Sequence, residues 1–117
     1  MRHSGLDEAA EGIERRCGMT NIDFIRTNVD KRVLYEQLTE ECCELGKAAL
    51  KLIRTKDKSN PTTMRHADAV VDFLEEAIDV LIVLEALGWD THSLADDAID
   101  SPKWERWQKR ITEGCAE

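Results

Sequence analysis

The stretch DKRVLYEQLTEECCELGKAALKLIRT, residues 30–55, brings Leu34, Leu38, Leu45, Ala48, Ala49 and Leu52 back at helical intervals. At about 100° per residue these six side chains form one stripe, so the segment reads as a long amphipathic helix with Asp30 as its N-cap. Glu41 interrupts the stripe. It lies three residues after Leu38 and four before Leu45, inside the apolar face, whereas Glu44 sits at the edge and Glu36 and Glu40 fall on the wet side. An unpaired carboxylate withdrawn from water is costly and tends to take up a proton. An inward Glu41 therefore calls for a cation, a hydrogen-bond network or a solvated cleft.

Working outward, KDKSNPTTMRH at 56–66 carries turn chemistry in Ser59, Asn60 and Pro61, which predicts a loop between two antiparallel helices. The second helix is expected from Ala67 to Leu87, stopped by Gly88. From Ala77 to Leu87 apolar residues occur nearly all round the axis, the mark of a helix covered on most sides. Within it Asp79 shares a face with Glu76, and Asp72 extends that face by another turn, while Glu75 and Glu85 lie off it. Before the long helix, residues 21–28 suit a short one. Residues 1–20, interrupted by Gly5, Gly12 and Gly18, read as a poorly patterned arm. After Gly88, WDTHSLADDAID at 89–100 suits a short helix capped by Thr91, and Pro102 opens PKWERWQKRITE at 102–113. The only β-branched run, VLIV at 80–83, is flanked by helical pattern.

The expected class is therefore all-α: a single domain at 21–117, a bundle of four to five helices around an antiparallel central pair. A short chain has too few helices to cover a rod so apolar, which predicts completion by homo-oligomerisation, as a dimer or tetramer.

Composition narrows the function. The chain has 117 residues, 42% of them apolar, which suits one folded domain. Sixteen basic against 24 acidic residues give a net charge of −8, which excludes a general nucleic-acid binder. Neither an apolar run of about 18 residues nor a secretory signal is visible, so no membrane association and a cytoplasmic location are expected. Adjacent Cys42 and Cys43 diverge on a helix and make a poor disulfide framework with Cys17 and Cys115; reduced thiols packed as small apolar groups are expected. His3, His66 and His92 lack zinc-site spacing. Trp89, Trp104 and Trp107 are expected in the core rather than against a base, with Trp104 and Trp107 sharing a face. Two basic clusters, 51–58 and 103–110, hold eight of the sixteen cations and read equally as a positive rim or as ordinary solvated surface.

Side chains three apart on a helix lie about 5 to 6 Å apart at Cβ, so Glu41 with Glu44, and Glu76 with Asp79, can close on one cation or straddle two. Hard oxygen donors suit Mg2+, which commonly meets phosphate oxygens in its remaining positions. Two plainer readings compete: an ion-pair network with nearby Lys and Arg, and a solvated acidic face.

The pair LTEECCEL at 38–45 and EEAIDVLI at 75–82 resembles the E-x-x-E and E-x-x-D motifs of the MazG-like nucleoside triphosphate pyrophosphohydrolases, part of the all-α NTP pyrophosphatase superfamily. KWERWQKRI at 103–111 is similar to the basic closing helix of that family, and the resemblance covers about residues 30–112. It implies an all-helical, Mg2+-dependent homo-oligomer that cleaves a nucleoside triphosphate between the α and β phosphates, giving a monophosphate and pyrophosphate. Glu41, Glu44, Glu76 and Asp79 match the family's metal ligands, and Lys47 falls where relatives carry basic residues. Such chemistry would use Glu41, the most inward acid, as general base or water-orienting group. Lys51, Arg54, Lys103, Arg106 or Arg110 would steady the outer phosphates. A dUTP or phosphoribosyl-ATP pyrophosphohydrolase of the same superfamily is the nearest alternative. A non-catalytic helical interaction module and a purely structural bundle stand outside it.

Overall fold

Thr20 and Asp30 each place a side-chain oxygen on a backbone amide that the coming helix leaves unpaired, at 3.1 Å (Asp23 N) and 3.3 Å (Arg32 N). They start α1, Asn21–Asn28, and α2, Lys31–Asp57. Three more helices follow: α3, His66–Ala86, α4, Thr91–Ile99, and α5, Lys103–Thr112. The computed structural model describes residues 19–58 and 64–114, and among them every regular element is an α-helix. The expected arm, apart from its last two residues, lies outside the described residues. So do the turn residues Ser59, Asn60 and Pro61, together with His3, Cys17 and Cys115. No described helix is long and apolar enough to cross a membrane.

The ends of the helices follow local chemistry. Lys58 adopts a left-handed conformation, φ 56°, and returns its N–H to Arg54 O at 2.8 Å, closing α2. Gly88, at φ 103°, takes the conformation that a side chain resists and ends α3 where the sequence predicted. The start of α4 differs from expectation. Asp90, not Thr91, is the N-cap, its Oδ1 accepting from Ser93 N at 3.2 Å. Thr91 instead donates both its N–H (2.8 Å) and its hydroxyl (2.9 Å) to Glu85 Oε2, so it tethers α4 to the end of α3.

The main packing is α2 against α3, with α1 and α4 laid on α3. Leu34 from the start of α2 meets Val83 and Leu87 from the end of α3, with Val29, Leu38 and Ala86 around them. At the far end Ala48 and Ala69 are buried, small enough for close approach, and the buried Thr55 hydroxyl lies 3.0 Å from His66 Nδ1. Each of Leu34, Val83 and Leu87 contributes about 1.5–3 kcal/mol by leaving water. Arg26 of α1 donates to the Glu85 carbonyl at 2.9 and 2.7 Å and to its carboxylate at 3.2 Å, which fixes α1 across α3.

The buried core is small. Val71, Leu74, Ile78, Leu81 and Ile82 leave the outer face of α3 exposed, so the expected cover of that helix is incomplete among the described residues. The radius of gyration is 19.0 Å, against about 13 Å for a compact chain of this length. Two expectations are corrected. Trp89, Trp104 and Trp107 are each more than half exposed; the last two belong to α5, which does not pack extensively on the α2–α3 pair. Cys42 and Cys43 are free and exposed, on a side of α2 that faces neither α1 nor α3.

Candidate functional site

Glu41 comes from the middle of α2, and Glu76 and Asp79 from the facing stretch of α3. The periodicity that buries Leu38 and Leu45 partway on one helix and Val83 on the other turns these three acids toward the same seam. One carboxylate oxygen from each lies within 4.8 Å of the others, and all three residues are half-buried. Glu41 Oε2 also accepts from Gln37 Nε2 at 2.6 Å, one turn earlier, which holds the carboxylate over the seam.

Crowding like charges has a measurable consequence. The Glu76 carboxyl is held above the usual carboxylate range, first by loss of hydration and then by the negative charges of Asp79, Glu44, Glu41 and Asp72. Among the described residues no Lys or Arg forms an ion pair with Glu41, Glu76 or Asp79. The donor set therefore fits a hard divalent cation: oxygen ligands only, gathered from two helices, with excess negative charge and no competing side-chain cation.

Beside the triad lies a cleft of about 130 Å3 lined by Glu44, Lys47, Ala48, Lys51, Ala69, Asp72 and Glu76. Its floor is low because Ala48 and Ala69 are small and buried. Glu44, expected as a fourth ligand, sits in this cleft rather than within the triad, and its Oε2 is 3.7 Å from Lys47 Nζ. Lys51, half-buried, faces the same cleft. Asp72 joins Glu44 and Glu76 there, although the sequence reading used it only to extend an acidic strip. Its place was legible from the spacing of Asp72, Glu76 and Asp79, three and four apart on one face of α3.

The remaining basic candidates do not converge on the acids. Arg54 lies a turn beyond Lys51 on α2, half-buried and outside the cleft lining. Lys103, Arg106 and Arg110 belong to α5, which does not pack extensively on α2 or α3 of its own chain. Glu85, judged to lie off the acidic strip, has structural work instead. Two hydrogen bonds from Thr91 and the nearby Arg26 guanidinium hold its carboxyl below the usual range. Nothing in the spacing announced that role, since both partners come from outside α3. Compared with protein families, with curated proteins and with solved structures, the chain matches none.

Proposed function

We propose that this chain is a Mg2+-dependent nucleoside triphosphate pyrophosphohydrolase, cleaving between the α and β phosphates, of the kind its E-x-x-E and E-x-x-D motifs resemble. The observation that carries the reading is the meeting of Glu41, Glu76 and Asp79 within 4.8 Å across two helices. On this reading α2 and α3 are an antiparallel pair that works as a rigid frame, with the acids on its inner seam. Glu41, Glu76 and Asp79 hold the cation, and Glu44 completes the acidic wall with Asp72. Bound Mg2+ supplies charge neutralisation for phosphate oxygens and makes water more acidic.

The chain's own residues account for the rest. Glu41, with Gln37 fixing its orientation at 2.6 Å, is placed to accept a proton from water or to aim it at the α phosphorus. Lys47 and Lys51, on the rim of the adjoining cleft, bind and orient the outer phosphates and offset charge on the departing pyrophosphate. Oligomerisation follows from the exposed apolar face of α3, which a second chain would cover. We infer a cytoplasmic dimer or tetramer with no nucleic-acid or membrane partner. dUTP or phosphoribosyl-ATP as the physiological substrate belongs to the same reading, since all share the triphosphate or pyrophosphate linkage.

The test is a panel of nucleoside triphosphates with Mg2+, assayed for both products. Monophosphate with pyrophosphate, reduced about 100-fold or more in Asp79→Asn, is expected. Orthophosphate release would place the cut at a different bond. Absence of any turnover across the panel, with dUTP and phosphoribosyl-ATP included, would favour a non-catalytic module.

A further inference from the structure

Among the described residues two exposed apolar surfaces, far apart in the sequence, match each other. The first is a groove of about 350 Å3 between α1 and α3, lined by Ile22, Ile25, Ile78, Leu81 and Ile82 and closed by Glu85. Of the acids on that helix, Glu85 lines the groove and Glu75 lies on its flank, whereas Asp72, Glu76 and Asp79 face α2. The second is α5. Trp104, Trp107 and Ile111 recur on one of its faces, 57%, 52% and 60% exposed, and the two indoles stack at 6.0 Å and 12°. Lys103 and Arg110 flank that face, and Arg106 and Lys109 lie behind it. Trp104 Nε1 donates to Ala98 O at 2.6 Å, so the aromatic face is already ordered against α4 before anything docks on it.

We propose that α5 of one copy seats its Trp104, Trp107 and Ile111 face in the α1–α3 groove of a second copy, reciprocally about a twofold axis. An apolar ridge flanked by Lys103 and Arg110 meets an apolar groove edged by Glu75 and Glu85, which steers encounter and fixes orientation. Within its own chain α5 does not pack extensively on α1 or α3, so the ridge is free to reach another molecule. Each copy carries one ridge and one groove, so a reciprocal exchange closes on itself as a dimer. Two half-exposed indoles and an isoleucine offer on the order of 300 Å2 per copy. Matched by the groove and doubled by symmetry, that gives total burial on the order of 1,200 Å2, the lower end of stable interfaces. The proposal rests on the oligomeric part of the reading above and is independent of the carboxylate chemistry.

Sedimentation velocity on the full chain, beside Ile82→Arg and Trp107→Ala, supplies the first test. The parent chain is expected to sediment as a dimer whose Kd rises with NaCl. Each variant is expected to raise Kd at least tenfold with helical content unchanged, because both side chains are half-exposed in the single chain. The second test is oxidation of mixed chains in which the four cysteines are replaced by serine, one carrying Ile78→Cys and the other Gln108→Cys, beside the aromatic face. A covalent heterodimer is expected from the mixture. A monomeric parent overturns the docking together with oligomerisation. A dimer that neither responds to Ile82→Arg nor cross-links overturns the docking alone. Closure within a single chain carrying both new cysteines assigns the groove to its own α5. In a further chain that carries Ile78→Cys, keeps Cys17 and has its other three cysteines replaced by serine, a link between those two positions assigns the groove to the leading segment. Either result overturns the proposal.

Discussion

Glu41 and Glu85 show how much and how little a single residue discloses. Glu41 was legible because it stands in phase with Leu38 and Leu45, and the structure turns it to the seam beside Glu76 and Asp79. Glu44, read at the edge of the stripe, lies in the cleft that Glu76 also lines, since a residue at such an edge reaches either the seam or the neighbouring cleft and spacing alone does not choose. Glu85 gave no signal because its partners, Arg26 and Thr91, come from two other elements. Its depressed folded-state pKa makes it a source of acid sensitivity. The stability it adds is present above the unfolded carboxyl value of about 4.3 and is lost as pH falls through the lower folded value. Thermal melts from pH 7 down to pH 3 should therefore show a smaller loss of Tm for Glu85→Gln than for the parent chain. Glu76→Gln should act in the opposite sense at neutral pH without metal, raising Tm, because it removes a carboxylate that has lost hydration and that neighbouring negative charges crowd.

Existence and order of the five helices were largely readable, because apolar spacing, capping residues and Gly88 act locally. The N-cap of α4 was misassigned for a physical reason. Thr91 is a good cap by type, but Glu85 captures its hydroxyl and Asp90, one residue earlier, serves the helix end. Packing within the α2–α3 pair sets the stability of the frame that holds the acids. Leu87 is 4% exposed where the end of α3 meets the start of α2, so Leu87→Ala should cost about 2–4 kcal/mol in chemical denaturation. Ala69, 1% exposed where the helices approach closely, should tolerate growth poorly. Ala69→Leu should cost about 1–3 kcal/mol and disturb the adjoining cleft. A neutral outcome at Ala69 would mean the helices separate there at little cost.

At the scale of the molecule, the sequence signalled an apolar rod too greasy for one short chain. The structure leaves that face of α3 open, along with three tryptophans that were expected inside. Composition cannot tell a core tryptophan from an interface one, since both bury the same apolar surface once the partner is present. What unites the acids, the small core and the open faces is a two-helix frame whose inner seam gathers negative charge without a basic partner. Its direct measurement is calorimetric titration of Mg2+ into the parent chain and into Glu41→Gln, Glu76→Gln and Asp79→Asn. Saturable binding in the parent, weakened at least tenfold by each substitution, is the predicted result. Binding that survives all three substitutions unchanged, or no binding in the parent, would contradict a cation site on that seam.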